Sequence, residues 1–487
     1  MRYLFHGDVM QSRQVDVAVI GAGSAGLAAF HAARAAGKRV LLIESGEFGT
    51  LCARSGCMPS KLLIAAANGL HDATSLGPRG INGLEHAKLD GRAVLAYVRA
   101  ERDGFVASVL KEMRSFPEDS VARGHARFLS DAALAVDDSF EVHARSVVIA
   151  TGATGVIPDE FKVLGEHAVT SDAVFEWETL PESVGIFGAG PIALELGQAL
   201  ARLGVRVQIF GRNGAAAGLT DPEVRDVLIH ALQEEVYLDA DANIFETKLE
   251  DGIPTVRYRA SDGRAVTSQF EVVLVATGRS PALDTLQLDK TTLTLDKRGV
   301  PVFDVTSMQC GESTIFIAGD CDGTRPWLAD ATDEGTLAGR NAASFPDVQR
   351  GARKASLSIV FTDPQAAMIG ASYKSLAGRD IVIGKVSFED QGRSKIMRKN
   401  RGALRVYADA CSGRLLGAEA SGPEVEHLAH LLAWAVQLGL KAQDMLSLPF
   451  YHPVVEEGLR TALRDASRQL CERHSKPMPT TASAVGC

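Results

Sequence analysis

The stretch Val15-Asp16-Val17-Ala18-Val19-Ile20-Gly21-Ala22-Gly23-Ser24-Ala25-Gly26 changes character at its midpoint, from an apolar, β-branched run to a glycine-rich turn. The run reads as a buried strand. The alanine-rich segment that follows, to about Ala36, reads as a helix, and Arg39 to Ile43 as a second strand ending at Glu44. Strand, G-x-G-x-x-G, helix, strand and acid in that order form a dinucleotide-binding unit. Glycines at 21, 23 and 26 let backbone amides approach a pyrophosphate at the helix N-terminus, and Glu44 is placed to accept a ribose hydroxyl.

The pattern occurs twice. Val184 to Phe187 leads into Gly188-Ala189-Gly190-Pro191-Ile192-Ala193, a helix to about Leu203 and a strand at Val205 to Phe210. Two such sites in one chain imply two cofactors and electrons passed between them. The copies differ where the second nucleotide would be read. Glu44 lies twenty-three residues after Gly21, and the same offset from Gly188 falls on Gly211, followed by Arg212. Loss of the acid removes a charge that would repel a 2'-phosphate, and Arg212 is able to pair with one, which favours NADP. A solvated Arg212, with NAD bound in the absence of the acid, is nearly as compatible.

Next to the first unit stands Gly49-Thr50-Leu51-Cys52-Ala53-Arg54-Ser55-Gly56-Cys57-Met58-Pro59-Ser60-Lys61. Residues five apart on a regular helix are separated by about 7.5 Å along its axis, whereas a disulfide needs Cα atoms roughly 4.4 to 6.8 Å apart. A bridge therefore requires an irregular turn. Gly56 permits one, and Pro59 suits the first position of a helix starting just after Cys57. That helix would aim its positive end at the Cys57 sulfur and favour the thiolate. Two buried, inert thiols are the plainer reading of C-x4-C alone.

At 487 residues the chain allows about three domains. A net charge of −9, with no basic block or basic helix standing out, argues against a nucleic-acid surface. Met1 to Gln14 lacks the apolar run of a signal peptide, and no segment offers about eighteen uninterrupted apolar residues, so no membrane span and a cytoplasmic location are expected. Cys310, Cys321, Cys411, Cys471 and Cys487 are scattered and read as plain thiols. No second Cys or His pair stands at ligand spacing, so no metal site is expected.

Further along, Gly69 to Leu110 is helical in pattern and Ser120 to Val142 reads as short strands. Val147 to Ile149 exits into Ala150-Thr151-Gly152, and Val272 to Val275 into Ala276-Thr277-Gly278-Arg279, two turns where the chain crosses between domains. Ile315-Phe316-Ile317-Ala318-Gly319-Asp320 is a strand ending in an acid suited to a polyol, or to capping the next helix. From about Gly351, strands alternate with helices as in a separate α+β domain. Near its end, His452 precedes Pro453, and Glu457 lies five residues on, a spacing that lets a carboxylate orient an acid-base imidazole. A structural histidine at a helix start is the more usual role for such a residue. The Pro-, Ser- and Thr-rich tail after Arg473 is expected to be disordered.

In this order, the first glycine turn, C-x4-C-x-P-S-K, A-T-G, the second glycine turn with its following glutamate, A-T-G-R, the G-D strand and H-P with its glutamate resemble the flavin-dependent pyridine-nucleotide disulfide oxidoreductases, the family of dihydrolipoyl dehydrogenase, glutathione reductase and mercuric reductase. The resemblance spans about residues 15 to 470. It implies an α/β fold of two Rossmann-like domains plus an α+β dimerisation domain. The FAD domain would be discontinuous (1–150 and 277–350), the NAD(P) domain 151–276, the interface domain 351–474 and the tail 475–487.

The same resemblance implies a redox disulfide, with Cys57 against the flavin as a charge-transfer thiolate and Cys52 exchanging with substrate. Lys61 and Glu195 match a pair beside the flavin. Gly21, Gly23, Ala25, Gly26, Glu44, Ser45, Thr50, His125, Ala126, Ala150, Thr151, Gly152, Gly319 and Asp320 match FAD contacts; Gly188, Gly190, Ile192, Glu195, Gly211, Arg212 and Gly278 match the NAD or NADP site. His452 and Glu457 match an acid-base pair that reaches the neighbouring subunit's disulfide, so a homodimer is implied, with a small thiol or lipoyl-domain substrate and docking on a ketoacid dehydrogenase complex as further expectations. The expected reaction is that of dihydrolipoyl dehydrogenase. The alternatives are NADPH-dependent reduction of another disulfide or of mercuric ion, and a non-catalytic flavoprotein scaffold. This chain departs from the family pattern at Gly49-Thr50-Leu51, at Val454 and Glu456 in the His-Pro segment, at Pro191 where glutathione reductases carry a tyrosine, and in ending on Cys487 without a vicinal partner.

Overall fold

The structure is a computed structural model that describes residues 11–84, 86–260 and 263–474. The expected disordered tail, Cys487 and the first ten residues lie outside the described residues. The chain falls into two compact units: Ala96–Val156 and Arg279–Arg353 join the chain up to Leu62, while Leu63–Leu95 and Ile157–Gly278 join the chain from Lys354 onward.

In the first unit the strand Gln11–Ile20 is central to a nine-stranded sheet, parallel to Val40–Glu44 on one side and to Phe140–Ile149 on the other, with Ile315–Ile317 parallel beyond it. Val17, Ala18 and Val19 are fully buried because the sheet is covered on both faces, as an apolar run without alternation requires. The helix Ser24–Ala35 covers one face and is crossed by Leu328–Ser344. A Cβ at Gly335 would lie 2.1 Å from the Ala25 carbonyl oxygen and one at Gly339 2.3 Å from that of Ala29, so these helices meet backbone to backbone.

The second unit repeats the scheme. Ser183–Phe187 is the middle strand of five, with Arg206–Phe210 and Tyr237–Asp239 on one side, Val272–Val275 and Ala168–Val169 on the other, all parallel. A three-stranded antiparallel sheet spans 243–269. The same unit holds a five-stranded antiparallel sheet over 357–422, whose buried face packs with the helices Val425–Gln437 and Glu456–His474 around Val406, Leu428, Leu432 and Leu463. Among the described residues no helix is long and apolar enough to cross a membrane.

Candidate functional site

The first glycine turn is built by close approach. Gly21 has φ +105°, and a Cβ there would lie 2.3 Å from the Ala150 carbonyl oxygen; a Cβ at Gly26 would lie 1.8 Å from that of Gly21. Gly23 differs, for its missing Cβ faces open space. It is the N-cap of Ser24–Ala35 and makes no side-chain cap, so that helix's first amides point outward unshielded. Glu44 accepts from the Ala22 and Gly46 amides, both at 2.7 Å, locking the strand exit to the turn.

Around this turn runs a cavity of about 390 Å³ lined by Gly21, Gly23, Glu44, Ser45, Thr50, His125, Ala126, Ala150, Thr151 and Gly152. Sequence reasoning missed Arg54, Thr285 and Leu286 on its wall. A second, smaller space of about 160 Å³ shares Gly23, Ala150 and Gly152 with the first and adds Ala25, Cys52, Cys57, Gly319 and Asp320. The two together form one elongated groove from Glu44 to the sulfurs. Burial raises the Asp320 carboxyl, while Arg279 acts against it.

Cys52 sits in the short helix Leu51–Arg54, capped by Thr50, whose hydroxyl accepts from Ala53 N at 3.2 Å. The long helix Cys57–Thr74 begins at Cys57 itself, two residues before the expected first position at Pro59. Pro59 is therefore its third residue, where an N–H is still not needed. Gly56 matters for space: a Cβ would lie 3.0 Å from the Leu51 carbonyl oxygen and 3.1 Å from the Cys52 Cα. The two sulfurs stand here as thiols, Cys52 half-buried and Cys57 exposed. Hydrogen bonding to Cys57 raises the Cys52 thiol, burial adds to this and Lys61 opposes it. Cys52 thus keeps its proton, and Cys57 opens the helix, with that helix's N-terminus beside its sulfur. Cys310 and Cys321 are buried, and burial raises both, Cys321 to about 12, which leaves them inert.

In the second unit Gly188 has φ +115°, and its Cβ would meet the Ala276 carbonyl oxygen at 2.4 Å; one at Gly211 would meet the Ala240 backbone at 2.8 Å. Gly188, Gly211 and Gly278 gather past the carboxyl ends of parallel strands, the position where such sheets bind ligands. Gly190 faces open space. Ile192 is exposed, as is Arg212, which makes no ion pair with any described residue. Glu195 is buried and accepts from Phe361 N at 2.8 Å. His452 Nδ1 lies 3.0 Å from Glu457, and the histidine side chain is 80% exposed.

The groove fits FAD: glycine backbone and a bare helix N-terminus meet the pyrophosphate, Glu44 stands at the ribose end, and the sulfurs and Asp320 stand at the other. Solved structures of like fold include the HOCl-induced flavoprotein disulfide reductase RclA from Escherichia coli, with TM-score 0.76, 22% identity, and 93% of this chain and 99% of that one covered. Curated relatives include dihydrolipoyl dehydrogenase 2 of Haloarcula marismortui (29% identical; 94% of this chain, 97% of the relative) and mercuric reductase of Staphylococcus aureus (26%; 95% and 85%). The family model "pyridine nucleotide-disulphide oxidoreductase" matches residues 15–335, and its dimerisation-domain model matches 356–463. With two glycine turns, a flavin-shaped groove ending at a cysteine pair, and both models matched in order, this chain belongs to the FAD- and NAD(P)-dependent pyridine nucleotide-disulphide oxidoreductases, enzymes that act on sulfur groups.

Proposed function

We propose that the chain oxidises dihydrolipoamide to lipoamide with NAD as acceptor. The observation that carries this is the small cavity in which the first glycine turn, both sulfurs and Asp320 meet. Bound FAD supplies the two-electron relay between the reduced cysteines and the nicotinamide. In the oxidised centre a substrate thiolate attacks Cys52 Sγ, the bond to Cys57 breaks and Cys57 leaves as the thiolate. The second substrate thiolate attacks its own sulfur in the mixed disulfide, releasing cyclic disulfide and Cys52. His452 takes the proton of the attacking thiol, and the second proton stays on Cys52, whose thiol is raised by its hydrogen bond with Cys57 and by burial. Lys61, on the helix that opens at Cys57, only partly offsets the rise of the Cys52 thiol.

His452 is exposed within the single chain and sits beside an apolar groove of about 400 Å³ bordered by exposed Trp434, Leu438, Leu448 and Tyr451. A dimer that buries this groove carries His452 to the partner subunit's disulfide. A scaffold role needs neither the cysteine pair nor the His452–Glu457 pair.

Mercuric-ion reduction with NADPH is the second reading, favoured by the unpaired charge of Arg212 and by the mercuric reductases among the relatives. Steady-state assays with dihydrolipoamide, glutathione disulfide and mercuric ion, each against both nicotinamide cofactors, separate the two. NAD-dependent turnover of dihydrolipoamide is expected to exceed the others at least tenfold; metal-dependent NADPH oxidation without lipoamide turnover would replace the first reading by the second.

A further inference from the structure

Within the second unit, between the C-terminal end of the helix Cys57–Thr74, the helix Pro191–Arg202 and the segment 393–401, lies a cavity of about 760 Å³. That is a small-molecule volume. Arg79, Arg202, Arg393, Arg398, Lys399 and Arg401 line it, against three carboxylates, Asp72, Glu235 and Asp363. Those carboxylates are already engaged. Arg202, 3% exposed, donates to both oxygens of Glu235 at 2.7 and 2.8 Å and to Asp363 at 3.2 Å. Lys399 pairs with Asp363 at 3.2 Å and approaches Asp72 at 3.9 Å. Arg401 pairs with Glu234 at 2.8 Å.

Three guanidinium groups remain. Arg79 donates to the Met397 carbonyl at 2.9 Å, and among the described residues neither it nor Arg393 nor Arg398 pairs with a carboxylate. In a chain with 60 acids to 51 bases, that is a local excess of positive charge in a cleft, where low-dielectric walls concentrate the field. Guanidinium forks fit phosphate bidentately. The sequence expectation that no basic block stands out fails here: 393–401 carries five cations in nine residues, interrupted by Ser394, Ile396, Met397 and Asn400, and the fold adds Arg79 from far upstream.

We propose that this cavity binds a multiply charged, phosphate-bearing small molecule through Arg79, Arg393 and Arg398, with the Arg202–Glu235–Asp363 cluster as its fixed floor. The site is distinct from the second dinucleotide turn, because Arg202 ends the twelve-residue helix that the turn begins, about 18 Å away along its axis.

The test is calorimetric titration of inorganic pyrophosphate into the FAD-loaded, full-length chain at low ionic strength, with NAD present in saturating amount. One saturable site per chain is expected, at least tenfold weaker in Arg393→Gln/Arg398→Gln and in Arg79→Gln, and unchanged in Arg212→Gln. Lipoamide turnover without pyrophosphate should be unchanged in all three arginine substitutions of the cavity. Absence of saturable binding, or an affinity equal to that of the wild type in the double variant and in Arg79→Gln, would overturn the proposal and leave these cations as a solvated surface.

Discussion

His452 Nδ1 is 3.0 Å from each carboxylate oxygen of Glu457, and the carboxylate also accepts from Val454 N at 3.3 Å. The hydrogen bond from His452 holds the Glu457 carboxyl below its ordinary range. An ionised Glu457 fixes the tautomer with the proton on Nδ1 and leaves Nε2 to accept one. His452→Ala should slow the thiol half-reaction by roughly 100-fold or more, and Glu457→Gln by about 10- to 100-fold, with the flavin spectrum unchanged. Stopped-flow reduction by dihydrolipoamide reads both; unaltered rates would reduce the pair to a structural helix start.

The unequal sulfurs give a sharper test. Because Cys52 keeps its proton and Cys57 opens a helix, Cys52→Ser should retain FAD and a Cys57 thiolate, seen as new long-wavelength absorbance, yet lose disulfide turnover by at least 100-fold. Cys57→Ser should retain FAD without that band. If the band appeared in the Cys57 variant instead, the roles would be reversed.

Two glycines of the first turn separate folding from binding. Gly26→Ala places a Cβ 1.8 Å from the Gly21 carbonyl oxygen, backbone that cannot step aside, so it should destabilise the unit by about 1 to 3 kcal/mol or more. Gly23→Ala meets no protein atom within 4 Å; the apoprotein should melt within a few degrees of wild type while FAD affinity drops at least tenfold. Fluorescence titration of FAD and thermal melts of the apoproteins measure this, and an undiminished affinity of Gly23→Ala would place the pyrophosphate elsewhere.

Both glycine turns were legible because each is a local device, with strand, turn and helix adjacent in the chain. The helix Leu328–Ser344 was not read from sequence. It packs through Gly335 and Gly339 on the Ala25 and Ala29 backbone, and its buried face is made of small residues such as Ala331, Ala338 and Ala342, which carry little of the large apolar signal that marks a core helix. The strands over 243–269 were missed for a related reason: Arg257 pairs across them with Glu246 at 2.6 Å and Glu250 at 2.8 Å, and Lys248 joins the same acids, so charges occupy a face that alternation would have marked. Thr285 and Leu286 reach the cofactor groove only through tertiary folding, and nothing in their neighbouring sequence marks them, whereas Arg54 stands inside the marked Cys52–Cys57 stretch and its own charge gave no sign of a cofactor role.

Behind the Gly319-Asp320 turn, Glu334 is buried, accepts from Gly319 N at 3.0 Å and pairs with Arg353 at 2.7 Å. Burial pushes its carboxyl up to about 7, and Asp322 adds to this. A folded-state pKa above the unfolded one means the stabilising proton is fully present below about 4.5 and is lost as pH rises through about 7. Between those limits the wild type should lose stability, on the order of 3 kcal/mol from this group, and Glu334→Gln should flatten the decline. Chemical denaturation at pH 5 and pH 8 checks the sign; an unflattened decline would mean that the Arg353 pair outweighs burial.

A test at Arg212 distinguishes the two nicotinamide cofactors. It follows Gly211, whose closeness to the Ala240 backbone and the Ala189 side chain fixes the loop, and it is exposed without an ion pair among the described residues. A 2'-phosphate is the anion that this position can meet. If the arginine contributes a charge-assisted hydrogen bond of about 1.5 to 3 kcal/mol, Arg212→Gln should raise the KM for NADPH at least tenfold and leave that for NADH within about twofold. If instead both constants stay put, Arg212 is a solvated loop residue and the chain takes NAD, as the dihydrolipoyl dehydrogenase reading requires; steady-state kinetics of the one variant with the two reduced cofactors distinguishes these outcomes.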